Sequence, residues 1–123
     1  LGQANADACQ LFLENAQKNN TPLLCTHFSI HAIAAKMSKN KKTNSIYDFI
    51  QNIQDMKNLK KYDTTLDEER VVSKLCEKIK LDFDDALQYY AAKINECEAI
   101  VSLDADFDKT DLKRVTPKEL LAR

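Results

Sequence analysis

The chain of 123 residues carries 18 Lys and Arg against 19 Asp and Glu, a net charge of −1, so no overall positive field draws it to nucleic acid. Hydrophobic residues at 44% and charged residues at 30% set the balance of one soluble globular domain spanning 1–123, with a core of its own, rather than of a disordered chain. Its apolar runs fall far short of a membrane span and no signal peptide is read, which places the expected setting in the cytoplasm, away from membranes.

Residues 5–18 put Ala8, Leu11, Phe12 and Ala16 on one helical face, and Asn19-Asn20-Thr21-Pro22 stops that helix. Leu23, Leu24 and Cys25 form a short apolar run suited to a buried parallel strand. A second helix is predicted over 28–38, with Phe28, Ile30, Ile33, Ala34 and Met37 apolar, and the basic stretch 39–42 turns the chain. Ser45 is placed to cap a third helix through Ile46, Phe49, Ile50 and Ile53. A weak strand is expected at 57–62 around Leu59. Thr65 with Glu68 then reads as a capping box opening a helix with Val71, Val72, Leu75 and Ile79.

Asp82 stands where it can cap a helix over 83–95, with Phe83, Ala86, Leu87, Tyr90 and Ala91 inward. Ala99-Ile100-Val101-Ser102-Leu103 is the clearest strand, and Val115 marks a last short one. Thr116-Pro117-Lys118-Glu119 supplies N-cap, Pro at N1 and Glu at N3 for a terminal helix. Helices alternating with buried strands predict an α/β fold whose short parallel sheet is covered on both faces. A single Gly leaves no room for a glycine-rich phosphate loop. Cys9, Cys25 and Cys76 sit among apolar neighbours and read as small core residues, and no disulfide is expected among the four cysteines.

Chemistry concentrates in the acidic residues. Ligands in open parallel sheets gather at the carboxyl ends of strands, and strand 99–103 runs directly into Asp104-Ala105-Asp106-Phe107-Asp108. Asp82, Asp84 and Asp85 lie in or beside the first turn of the helix at 83. Capping and the helix dipole account for one or two of these acids, Asp82 first. Carboxylates that share a site repel one another unless a cation neutralises them. Spacing alone leaves a divalent-cation site and a solvated acidic rim both open.

Competing site readings are weaker. Asp104, Asp106 and Asp108 match positions 1, 3 and 5 of an EF-hand loop, but Lys109 stands where Gly is required and Val115 where Glu is required. His27 and His31 have a zinc-compatible spacing, yet no third ligand lies near them in the sequence. Nothing resembles a catalytic triad. Lys36, Lys39, Lys41 and Lys42, with Lys57, Lys60 and Lys61, form either a solvated surface or a local patch for a polyanion. Ile46, Tyr47, Phe49 and Ile50 offer either a core face or a contact for self-association.

Three segments in register, Asp82-Phe83-Asp84-Asp85-Ala86, then Ala99 through Phe107, then Val115-Thr116-Pro117-Lys118-Glu119-Leu120-Leu121, resemble the C-terminal half of a PIN domain. Residues 5–79 are compatible with that family but less distinctive. The resemblance implies a three-layer α/β/α fold and a metal-dependent ribonuclease (a hydrolase) of the kind that includes the VapC toxins of toxin–antitoxin pairs. Asp85 matches the aspartate of the family's D-A motif, and Asp104 and Asp106 match its strand-end pair. These three would hold Mg²⁺ or Mn²⁺, Asp85 and Asp104 serving catalysis directly, with Asp82, Asp84 and His31 as outer-shell candidates. Single-stranded RNA is the implied substrate, and a cognate antitoxin and a second copy of the chain are the implied partners. The family's opening strand, which bears an Asp, has no counterpart here, so an N-terminal segment is expected before Leu1. Its helical Glu falls on Ala32, or on His31 after a shift of one residue, leaving that ligand either replaced by His31 or lost. An alternative expectation is therefore a PIN-like module with weak or absent catalysis that binds RNA or protein.

Overall fold

Local signals begin most of the helices in the computed structural model, which describes residues 13–121. Helix α1 is seen as residues 13–18, and its predicted beginning at 5–12 lies outside the described residues. Strand β1 (Leu23–Thr26) leads without a loop into α2 (His27–Lys39), because the Thr26 hydroxyl accepts the Ser29 backbone N–H and so caps the helix. A 3₁₀ turn at Thr43–Ser45 precedes α3 (Ile46–Asp55). Ser45 itself is already in a helical conformation and its side chain makes no capping bond, so the cap expected there does not form. Strand β2 (Leu59–Tyr62) is followed by α4 (Leu66–Ile79), where Thr65 and Glu68 close the predicted capping box in both directions. Helix α5 (Phe83–Ile94), strand β3 (Ala99–Val101), a 3₁₀ turn at Ala105–Lys109, strand β4 (Lys113–Val115) and helix α6 (Pro117–Leu121) complete the order. Thr116 accepts the Glu119 N–H at 3.1 Å, as its position before Pro117 predicts.

The fold is mixed α/β, but its strands do not form one continuous sheet. β1 pairs in parallel with β2, Leu23 opposite Leu59 and Thr26 opposite Tyr62. β3 pairs in parallel with β4, Ala99 opposite Lys113 and Val101 opposite Val115. Among the described residues these are two separate two-stranded sheets. Helix α5 packs on β1 and on β3, so one helix covers a strand from each pair. The expectation of a single sheet is corrected to that extent. Strands of three or four residues carry few ladder bonds, and packing under α5 holds the pairs together where pairing alone would not.

The densest core lies between α4 and α5, where Val72, Leu81, Ala86 and Leu87 are buried and Cys76, Ile79, Tyr89 and Tyr90 pack around them. Full burial of a side chain such as Leu87 contributes about 1.5–3 kcal/mol. Alanines at 86, 91 and 92 are buried along α5 and let it approach its neighbours closely. Glu68 fastens the same region. Its carboxylate accepts the hydroxyls of Tyr62, from β2, and Tyr90, from α5. The Tyr62 contact holds Glu68 below its ordinary value and pushes Tyr62 up to about 12.

Several residues expected inward are not. No residue of α2 or α3 is buried; Phe28, Ile33 and Ile50 are exposed, and Tyr47 is 75% exposed. Helix α2 packs mainly on α3, the 3₁₀ turn and β1, and α3 mainly on α2 and that turn, which leaves much of each apolar stripe without a covering layer. Phe83 is 39% exposed because it opens α5, one turn before the contact with α4 that buries Ala86 and Leu87. Cys25 and Cys76 are half-buried rather than core, and Cys25, Cys76 and Cys97 are free thiols.

With little glycine available, non-glycine residues occupy left-handed positions at helix ends: Asn20, Lys41, Lys80 and Glu96. After α5, Cys97 N–H bonds Ala92 O and Glu96 N–H bonds Lys93 O, the Schellman pattern that places φ of Glu96 at 57°. A left-handed non-glycine residue costs about 1–2 kcal/mol, partly offset because glycine gives up more chain entropy on folding. Glu96→Gly is therefore expected to raise stability by about 0.5–1 kcal/mol in urea denaturation. An unchanged or lower midpoint would mean that Glu96 makes a compensating contact.

Candidate metal centre

Two short elements bring the acids together. Strand β3 ends at Val101, and the chain then turns tightly: Asp104 N–H donates to Ser102 Oγ at 3.0 Å, and Asp106 N–H donates to Asp104 Oδ1 at 2.9 Å. One Asp104 oxygen thus starts the 3₁₀ turn and the other is left for a further partner. Phe107 is buried and pins the turn, with Asp104 and Asp106 exposed ahead of it. On the other side, α5 begins at Phe83 and carries Asp84 and Asp85 in its first turn. Asp82 occupies the N-cap position with extended dihedrals, but its side chain makes no capping bond, contrary to its expected role. Its carboxylate is available elsewhere.

Asp85 is the shared member of two groups. One carboxylate oxygen from each of Asp85, Asp104 and Asp106 lies within 4.8 Å of the others, and the same holds for Asp82, Asp84 and Asp85. Two oxygens on one ion are separated by at most twice the bond length, about 4.2 Å for Mg²⁺ and up to about 5.2 Å for Ca²⁺. The cluster is therefore of a size that a cation as large as Ca²⁺ spans directly and that Mg²⁺ spans once the carboxylates close in slightly, and its donors are all carboxylates, the type such ions prefer. Asp85, Asp104 and Asp106 converge across two elements separated in sequence, and Asp82 and Asp84 join the same neighbourhood through Asp85.

Not every nearby acid takes part. Asp108 is held by Arg114, whose Nε and Nη2 donate to its two oxygens at 2.9 and 3.2 Å, while Nη1 donates to Ser102 O at 3.2 Å. That fork ties the end of β3 to the 3₁₀ turn, and Arg114 keeps Asp108 below the ordinary carboxylate range. Asp108 consequently cannot complete an EF-hand set. Lys109 Nζ stands 3.7 Å from Asp106 as a loose, exposed counter-charge. Asp111 accepts from Tyr89 and Lys93 of α5, which fastens the loop before β4 to that helix.

His31 is exposed on α2, its ring edge-on to His27 with centroids 6.2 Å apart, and Ala32 is exposed beside it. Neither histidine belongs to the carboxylate groups. An open hollow of about 340 Å³ lined by Asn20, Leu23, Lys57, Asn58 and Lys60 lies at the beginning of β1 and β2, the end of that pair opposite to Thr26 and Tyr62. Thr26, Gln88 and Arg114, which shape the surroundings of the acids, escaped the sequence reading. Thr26 alone had a local signal, as the residue before a helix start.

Comparison with protein families, with curated proteins and with solved structures finds no match to the chain. Among the described residues, no helix is long and apolar enough to cross a membrane.

The electrostatics of the cluster rest on Asp85. Burial first, then Asp84, Asp104, Asp82 and Asp106, push its carboxyl from 3.8 up to about 6. Between about pH 4 and pH 6 the folded chain thus holds a proton that the unfolded chain has released. Stability contributed by Asp85 is present below about pH 4 and is lost as the pH rises through 6. A bound cation reverses this by favouring the ionised form. Without divalent ions, Asp85→Asn is expected to melt above the unsubstituted protein at pH 7.5, with the gap closing towards pH 4. Added Mn²⁺ is expected to raise the melt of the unsubstituted protein alone, and that rise should disappear as the pH falls through about 6. Equal Mn²⁺ stabilisation of both proteins would remove Asp85 from the site.

Proposed function

We propose that this protein is a metal-dependent endoribonuclease of the PIN type, with Asp85, Asp104 and Asp106 holding Mg²⁺ or Mn²⁺. The observation that carries the reading is the convergence of these three carboxylates within 4.8 Å, from positions 19 to 21 residues apart that the family motif sets in register. The proton-retaining Asp85 and the all-oxygen donor set fit a divalent cation. Held by these residues, such a cation would lower the pKa of a bound water and neutralise charge on a phosphoryl group in transit. Water adds at phosphorus, the phosphodiester P–O bond breaks, and the departing oxygen takes up a proton. Asp104, tied by its other oxygen to the Asp106 N–H, and Asp85, on the rigid first turn of α5, hold the reacting groups in line.

The three-layer PIN arrangement belongs to the same proposal. Its opening strand, bearing one more aspartate, is the part of the pattern without a counterpart among the described residues. β1 and β3 lie under one helix yet do not pair with each other. By the same resemblance the protein is the toxin of a VapBC-type pair, with a cognate antitoxin and a homodimer using the exposed Tyr47 and Ile50 of α3.

A second reading, a PIN-like module that binds RNA or protein with little or no cleavage, is favoured by Ala32 and the exposed His31 at the place of the family's glutamate. Cleavage of fluorescent single-stranded RNAs separates the two. The first reading expects cutting with Mn²⁺ or Mg²⁺, arrest by EDTA, and loss of at least about a hundredfold in Asp104→Asn with the melt retained, the upper end of what loss of even an outer-shell partner costs. RNA retained on native gels but left intact by the unsubstituted protein would establish the second reading instead.

A further inference from the structure

Thr26 is the buried polar residue of the described chain, 1% exposed at the end of β1. Its hydroxyl oxygen accepts the Ser29 N–H at 3.1 Å and lies 3.2 Å from Ser29 Oγ, which between them satisfy the cap of α2. The second lone pair is still open, and Gln88 uses it: Nε2 donates to Thr26 Oγ1 at 3.0 Å, across 62 positions of sequence. The Gln88 amide oxygen is also close, 3.2 Å from the same hydroxyl. The link is thus surplus to the requirements of the cap, and it fastens α5 to the end of β1.

Gln88 stands three positions after Asp85 and four after Asp84, on the same side of α5. Ala86, Ala91 and Ala92 make the buried side of α5 small, so its rotation about the axis is fixed by buried Leu87 and by side-chain bonds to its neighbours, those of Tyr89, Tyr90 and Lys93 and, nearest to Asp85, that of Gln88. A rotation of about 20° carries a carboxylate at about 6 Å from that axis through about 2 Å, close to one metal–oxygen bond length. Resting on the carboxylate reading above, we propose that Gln88 is a positioning residue. Through Thr26 it sets the rotation of α5 so that Asp85 meets Asp104 and Asp106 across one divalent cation. A neutral amide suits this task because another carboxylate beside Asp84 and Asp85 would add repulsion, and a lysine would compete with the cation.

The test is the Mn²⁺ dissociation constant, read by electron paramagnetic resonance at pH 7.5 and at a temperature where circular dichroism shows every variant folded. Gln88→Met keeps the length of the side chain and removes the amide; it is expected to weaken Mn²⁺ binding about tenfold. Thr26→Val should do the same, and Thr26→Ser, which keeps the hydroxyl, should restore the original affinity. Asn95→Ala, which loosens the far end of α5 where Asn95 accepts from Lys60, should lower the melt and leave the affinity unchanged. Gln88→Met binding Mn²⁺ as tightly as the unsubstituted protein would overturn the positioning role alone. So would an Asn95→Ala protein weakened as much as Gln88→Met. No Mn²⁺ bound by the unsubstituted protein would overturn the carboxylate reading, and the inference with it.

Discussion

The first turn of α5 is held between two requirements that oppose each other. Its buried side, with Ala86 and Leu87 against Val72 and Leu81, must pack closely for the main core to exist. Its other side presents Asp85 to Asp104 and Asp106 on one hand and to Asp82 and Asp84 on the other, groups that repel when ionised. Apolar contact has to outweigh that repulsion, and partial burial leaves Asp85 holding its proton to about pH 6. The rest of the molecule can be understood as anchorage for this helix. Thr26 grips it through Gln88, Asp111 grips it through Tyr89 and Lys93, and Glu68 grips it through Tyr90.

Those anchors come from three different segments and share a chemical logic. All four are hydrogen bonds between side chains distant in sequence, three of them with a carboxylate acceptor. Asp111 and Glu68 are both held below the ordinary carboxylate range by the hydroxyls that reach them, Tyr89 and Tyr62 respectively being the largest contributors. Acids used for structure are therefore matched with donors. Asp85 is matched with none: burial and further carboxylates dominate its surroundings. That contrast separates the structural acids of this protein from the clustered ones more sharply than exposure does.

Parallel pairing sets the direction of both short sheets, and direction decides where chemistry can sit. The end of β1 delivers Thr26 to α5, and the end of β3 delivers the turn that carries Asp104 and Asp106. The Arg114 fork prevents that turn from fraying, because it holds Ser102 O and both oxygens of Asp108 at once. Removing Asp108 from the acidic group in this way also limits the charge that the cluster accumulates.

Local order was legible wherever a side chain acts within four residues of its own position. The Thr65–Glu68 box, the Thr116 cap before Pro117 and the apolar runs at Leu23 and Ala99 are decided by neighbours that the chain itself places close by. The acids of the cluster were visible as types and spacings, because a strand running into D-x-D-F and a helix opening on D-x-D-D leave few ways to hide that much charge. Three features were not decided locally. The failed caps at Ser45 and Asp82 depended on backbone already committed to a preceding turn, or on a carboxylate drawn out of capping position. The exposure of α2 and α3 depended on which layer covers them, and amphipathic spacing is silent on that. Finally, the seating of Asp85 opposite Asp104 depended on bonds such as Gln88 to Thr26, spanning 62 positions, for which no short-range pattern exists. Sequence by itself determined which residues can carry charge to the ends of strands; only the tertiary structure decided which carboxylates meet, because their meeting is set by packing and hydrogen bonds between segments far apart in the chain.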